Sequence, residues 1–317
     1  MLFVASPTPT PTPVTGAGAG VGIRLLDIPA ASQDDPRARA NIVDNLPPGT
    51  TIHRRITVSN FDDAPRDVQV YAAASTIADG KFSPDDNHPN ELTSWITVDQ
   101  PVVHLAAKQA IDVTVTIAVP ADAPEAEQYA TVWAQIGSPK TAGVNTASRA
   151  GVRVYLSVGP GNGPPADFAI QSLTASRTSD NIPQLTALIA NTGGRAVDVS
   201  GTVSLTGGPG STSAGPFKTS VATTILPGQS ATVTIPLDAG LAAGPWNAAV
   251  DLNSGLIVHD TTATLTFPQA GTTAAVQTTG FPGWAITLIA ILIILIIAAA
   301  IILILRRRKQ RDSDHSL

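Results

Sequence analysis

Ile111-Asp112-Val113-Thr114-Val115-Thr116-Ile117-Ala118-Val119 places an aliphatic residue at every second position, with small and mostly polar residues between. Successive side chains of an extended strand point to opposite faces, so a period of two predicts a strand with one apolar and one wetted face. Similar patterns predict strands over 52–58, 68–74, 130–136 and 152–158, which together give an all-β domain of sheets packed face to face. Gly159-Pro160-Gly161-Asn162-Gly163-Pro164-Pro165 then leaves no room for a strand and marks a boundary. Strands resume over 168–173, 185–190, 197–205, 231–237, 246–252 and 263–267, a second β domain poor in charge.

The two halves are loose repeats. Val58-Ser59-Asn60 precedes a turn and Asp67-Val68; Ile189-Ala190-Asn191 precedes a turn and Asp198-Val199, each displaced by 131 positions. Later, each half has a strand ending in proline, at Val119-Pro120 and Ile235-Pro236, followed by an aromatic strand carrying Trp133 or Trp246. That shared order predicts two tandem immunoglobulin-like β-sandwiches. The expected division is a Pro/Thr/Gly-rich lead over 1–21, a first sandwich over 22–159, a linker over 160–166, a second sandwich over 167–268 and a stalk over 269–283. A transmembrane helix over 284–305 and a basic tail over 306–317 complete it.

The expected span is free of charge and rich in Ile and Leu, and at 1.5 Å per residue it matches a hydrocarbon core of about 30 Å. Trp284 stands at its start as an interface anchor, and Arg306, Arg307, Arg308, Lys309 and Arg311 follow it as a topology signal. The positive-inside rule then expects a cytoplasmic tail, extracellular N-terminal domains and a single-pass cell-membrane location. Met1-Leu2-Phe3-Val4-Ala5 is too short for a signal peptide, so the expectation is that the true start lies upstream. The chain has 317 residues and a net charge of −5; the tail's five cations and two acids leave the remainder at −8. An acidic ectodomain argues against nucleic acid as a partner, and the absence of cysteine means each domain must be held by its own core.

The search for chemistry is largely negative. Neither Gly16 nor Gly18 begins a dinucleotide-binding fingerprint, and no G-x-S-x-G elbow is present. His53, His88, His104, His259 and His315 show no paired spacing for a metal, and no metal, cofactor or catalytic residue is expected. Asp85 to Glu91 is rich in oxygen ligands but lacks a calcium-loop pattern. Trp133, inside an alternating strand, reads as core or half-buried. Trp95, beside that acidic loop, is the candidate ligand-binding residue.

The order of features resembles the WxL-interacting proteins of Gram-positive cell surfaces. The residues that carry the resemblance are Ile23-Arg24-Leu25-Leu26-Asp27-Ile28-Pro29, Asn45-Leu46-Pro47-Pro48-Gly49 leading into Ile56-Thr57-Val58-Ser59-Asn60, Ala72-Ala73-Ala74-Ser75-Thr76 with Gly80, the run from Val113 to Pro120, and Leu226-Pro227-Gly228. It implies a non-catalytic, membrane-anchored adaptor that binds peptidoglycan or other surface proteins; the alternative is a structural stalk or accessory subunit. The family's glycine-rich stretch is replaced here by residues 125–133, so no binding residue is carried over.

Overall fold

The computed structural model describes residues 20–85, 88–137 and 147–268, and the backbone of 273–276. The first core is built from ten strands: β1 (Val21–Leu25), β2 (Ile42–Leu46), β3 (Thr51–Asn60), β4 (Arg66–Ala78), β5 (Lys81–Asp85), β6 (Ile96–Val98), β7 (Val102–Leu105), β8 (Ala110–Ala118), β9 (Glu127–Gly137) and β10 (Ala147–Val158). They form one sheet in the order β1-β3-β8-β6 and a facing sheet in the order β2-β10-β9-β4-β5, with β7 paired to β4. The alternation that begins at Ile111 is strand β8: Val113, Val115 and Ile117 are fully buried against Ile56 and Val58 and against Val132 and Val154 of the facing sheet. Each such side chain contributes about 1.5–3 kcal/mol on burial, which is how a chain without disulfides holds its sandwich.

Two short helices interrupt the strands. Helix α1 (Pro36–Ala40) starts where Asp35 accepts a hydrogen bond from the Arg37 backbone N–H at 2.8 Å and where Pro36 presets the first helical φ. Helix α2 (Glu91–Trp95) starts on the Asn90 cap, which accepts from the Thr93 N–H at 3.0 Å.

The second core is built from β11 (Phe168–Arg177), β12 (Pro183–Asn191), β13 (Val197–Gly208), β14 (Thr212–Lys218), β15 (Thr223–Ile225), β16 (Ser230–Pro236), β17 (Trp246–Ser254), β18 (Ile257–Leu265) and β19 (Thr273–Val276). Its sheets run β16-β12-β11-β19 and β14-β13-β17-β18, with β15 paired to β13. The protein is thus all-β, made of immunoglobulin-type β-sandwich units. The strand expected over 263–267 lies earlier, at 257–265, because Gly255 makes the turn out of β17 and pairing begins at once. The expected stalk is not connector throughout, since residues 273–276 pair with β11.

The repeat read from sequence is a structural corner. Asn60 is buried and its Nδ2 donates to the carbonyls of Ala64 and Ala106 at 2.9 Å, while its Oδ1 accepts from Asp62 N–H at 3.0 Å. Asn191 does the same, donating to Arg195 and Ile225 carbonyls at 2.8 Å and accepting from Gly193 N–H at 2.9 Å. Each asparagine satisfies backbone groups that the turn leaves unpaired, so no apolar residue replaces it.

The span expected over 284–305, with Trp284, and the cations Arg306, Arg307, Arg308, Lys309 and Arg311 lie outside the described residues. Among the described residues, no helix is long and apolar enough to cross a membrane.

Candidate functional site

Where β9 and β10 of the first sandwich meet β13 of the second, polar and aromatic side chains are buried together. Arg37 on α1 donates from Nε to Asp198 Oδ2 at 2.6 Å, and the two side chains are only 10% and 11% exposed. The Arg37 guanidinium lies 4.0 Å above the ring of Tyr155, whose hydroxyl donates to Asp198 Oδ1 at 3.0 Å. Thr224 Oγ1 donates to the same oxygen at 2.6 Å, and the Asp198 N–H donates to Ser254 Oγ at 2.9 Å. The Asp198 carboxylate therefore ties α1 and β10 of the first sandwich to β13 and β15 of the second, and its backbone N–H adds β17.

A second contact lies beside it. Glu127 Oε2 accepts from the Ala196 N–H at 2.6 Å across the boundary and from the Tyr129 hydroxyl at 2.7 Å. Phe82 sits against Tyr155 and Tyr129, with ring centroids 5.1 Å and 6.3 Å away, and Arg153 covers Phe82 at 4.7 Å. The Thr224 N–H donates to the Gly80 carbonyl at 2.9 Å, which seats the β4–β5 hairpin on β15.

Burial governs the protonation of this cluster. It opposes the charge on Arg37, but Asp198, Tyr155 and Glu127 together outweigh it and the guanidinium is held above its ordinary pKa. Burial lifts the Glu127 carboxyl above its usual value against the Ala196 N–H, and it pushes Tyr155 up to about 12, with the Asp198 charge adding to the rise. Tyr129 is raised by burial and then by Glu127. Both tyrosines are neutral donors at ordinary pH, which is what the two carboxylates require.

The sequence-derived candidates lie elsewhere. Trp95 ends α2 with its ring in the first core, 8% exposed, so packing rather than an open stacking surface accounts for it. Trp133 is half-buried on the outer face of β9 with the Arg149 guanidinium 4.2 Å over its ring. His53 faces Thr116, His88 faces Asp85, His104 faces Asp67 and His259 faces Asp167; no group of three or more metal-ligating residues occurs among the described residues. Sequence reasoning missed the junction. The signals available were the cap phrase Asp35-Pro36-Arg37 and the pairing of Glu127 with Tyr129 two positions on.

No known family's model matches the chain, and no curated protein does. Solved structures do match. They include the complex of Salmonella enterica SafA pilin with the SafB chaperone (16% identity, 78% of this chain and 96% of that one, TM-score 0.41) and the YadV chaperone (11%, 80% and 98%, TM-score 0.40). A third is the periplasmic chaperone SfaE (12%, 77% and 98%, TM-score 0.36). All three carry titles that name chaperones.

The WxL-interacting resemblance is corrected: no family model matches the chain, and the structures named above are titled as chaperones, one of them in complex with a pilin. The motifs behind that resemblance, such as Leu226-Pro227-Gly228, are turn and strand-end chemistry common to β-sandwiches. The adaptor role and its peptidoglycan or surface-protein partners, which that resemblance implied, and the cell-membrane placement are corrected with it: none of the structures named above carries a title of that kind, and among the described residues, which do not include 284–305, no helix is long and apolar enough to cross a membrane.

Proposed function

We propose that the chain is a non-catalytic polypeptide-binding protein. Its sandwiches, 22–159 and 167–268 joined by 160–166, act as one rigid bracket, and an extended segment of a partner protein pairs along β18. The observation that carries this reading is the buried Arg37–Asp198–Tyr155 junction. Domains joined by a loose linker lose orientational freedom when a partner touches both, whereas domains already fixed do not, so the junction preorganises the binding surface.

The choice of edge rests on strand chemistry. Strand β14 is a broken edge, with two register shifts against β13 and Pro216 in its middle, features that discourage strand addition. Strand β18 pairs with β17 over nine residues without a shift or a proline, ends its sheet and exposes Val258 by 60%. Such an edge offers backbone donors and acceptors to an added strand. Asp251 and Asp260 stand directly opposite each other and exposed on β17 and β18, so a partner segment with Lys or Arg at the matching position relieves their repulsion.

The test is a series of photo-crosslinking residues placed singly at positions 256–264 of the full chain in its native cells. The expected result is one polypeptide partner captured at every second position, with loss of capture when Asp198→Ala loosens the bracket. Capture at all positions alike, or capture unaffected by Asp198→Ala, contradicts the reading.

A further inference from the structure

We infer that Asn162, in the turn between the two sandwiches, is a site of spontaneous covalent modification by deamidation through Gly163. Asn162-Gly163 is the one Asn-Gly pair in the sequence. Asn162 is exposed, and its carboxamide makes no hydrogen bond with any described residue. The Gly163 N–H likewise donates to no described backbone carbonyl, and Gly163 has no Cβ to hinder approach at its nitrogen. Nucleophile and electrophile are therefore adjacent and both unengaged.

The reaction balances with water alone. The Gly163 amide nitrogen loses its proton and attacks Asn162 Cγ; the new N–Cγ bond forms as the C–NH₂ bond breaks, and ammonia leaves. Water then opens the cyclic imide at either carbonyl, giving aspartate or its β-linked isomer. The net change is exchange of an amide for a carboxylate, and in the isomer one extra carbon in the main chain.

The location makes this consequential for the protein. Asn45 Nδ2 holds the turn by donating to the carbonyls of Gly161 at 3.0 Å and Gly159 at 3.4 Å. Gly163 and Pro164 line a cavity of about 420 Å³ together with Glu125 and Glu127. A new carboxylate adds negative charge one residue from that cavity's lining, and a lengthened backbone shifts the turn that Asn45 grips.

The experiment ages the full chain in mildly alkaline buffer at 37 °C and maps peptides by mass. The expected result is ammonia release and a gain of about one mass unit on the peptide carrying Asn162 before any other asparagine peptide changes, with β-linked aspartate detected at that position. Asn162→Gln abolishes the gain, and Gly163→Ala slows it. An unchanged Asn162 peptide, or gains at Asn253-Ser254 in the β17 ladder as fast as at Asn162, overturns the inference.

Discussion

Arg37 Nε and Asp198 Oδ2 lie 2.6 Å apart although 161 positions separate them in the chain, and the pair is buried between two sandwiches rather than within either. A buried ion pair is not in itself a source of large net stability, because desolvation offsets most of its attraction. Removing one member is different, since it leaves a buried charge alone. Asp198→Ala strands the Arg37 guanidinium and leaves the Tyr155 and Thr224 hydroxyls without their acceptor. The expected loss is about 3–5 kcal/mol, measured by urea denaturation of the full chain. A loss near zero means that the pair does not hold the sandwiches together.

The pH dependence of stability has a definite sign. Burial raises the Glu127 carboxyl above its ordinary 4.5, so the folded protein binds that proton more tightly than the unfolded chain. The contribution of Glu127 is fully present below 4.5 and is lost as pH rises through the lifted value. Asp27, held low by its hydrogen bond to Arg55, and Asp167, held low by His259, act oppositely: their contributions are present above 3.8 and lost as pH falls below it. Melting temperature is therefore expected to decline on the alkaline side of 4.5, and Glu127→Gln flattens that limb while leaving the acid limb intact. A Glu127→Gln profile parallel to wild type contradicts the assignment.

The paired corners give a matched test. Asn60→Ala leaves the carbonyls of Ala64 and Ala106 and the Asp62 N–H without partners, and Asn191→Ala does the same to Arg195, Ile225 and Gly193. Each substitution is expected to cost about 2–3 kcal/mol by denaturant melts. Markedly unequal losses would show that the two corners are not equivalent.

These asparagines show what was legible in the sequence. A 131-residue offset linked Asn60 to Asn191 and Asp67 to Asp198, and period-two alternation marked β8, β9 and β10. Local rules reach this far because strand faces and turn caps depend on near neighbours. The same offset failed to reveal the junction, since Asp67 is exposed beside His104 while Asp198 is buried against Arg37. The partner of Asp198 comes from the other sandwich, and no local pattern encodes that. Trp95 was misleading for a similar reason: a tryptophan near an acidic loop resembles a binding residue until the inward turn at the end of α2 is seen.

Gly208 provides a packing test in the second core. A Cβ at this position would fall inside the van der Waals shell of the Trp246 ring, which lies against the Gly208 backbone and is anchored by its own Nε1–H bond to Ala242 at 3.0 Å. Gly208→Ala is expected to destabilise by about 1–3 kcal/mol in a thermal melt, with a change in tryptophan fluorescence. Wild-type stability would mean that the ring moves freely.

Because the chain has no cysteine, two introduced cysteines report a single distance. The most direct measurement places spin labels at exposed Asp122 in the first sandwich and exposed Ser220 in the second and records their distance distribution by pulsed dipolar spectroscopy. A rigid bracket gives one narrow peak that broadens in Asp198→Ala. A broad distribution in the otherwise unchanged chain would contradict the fixed junction on which the proposed function rests.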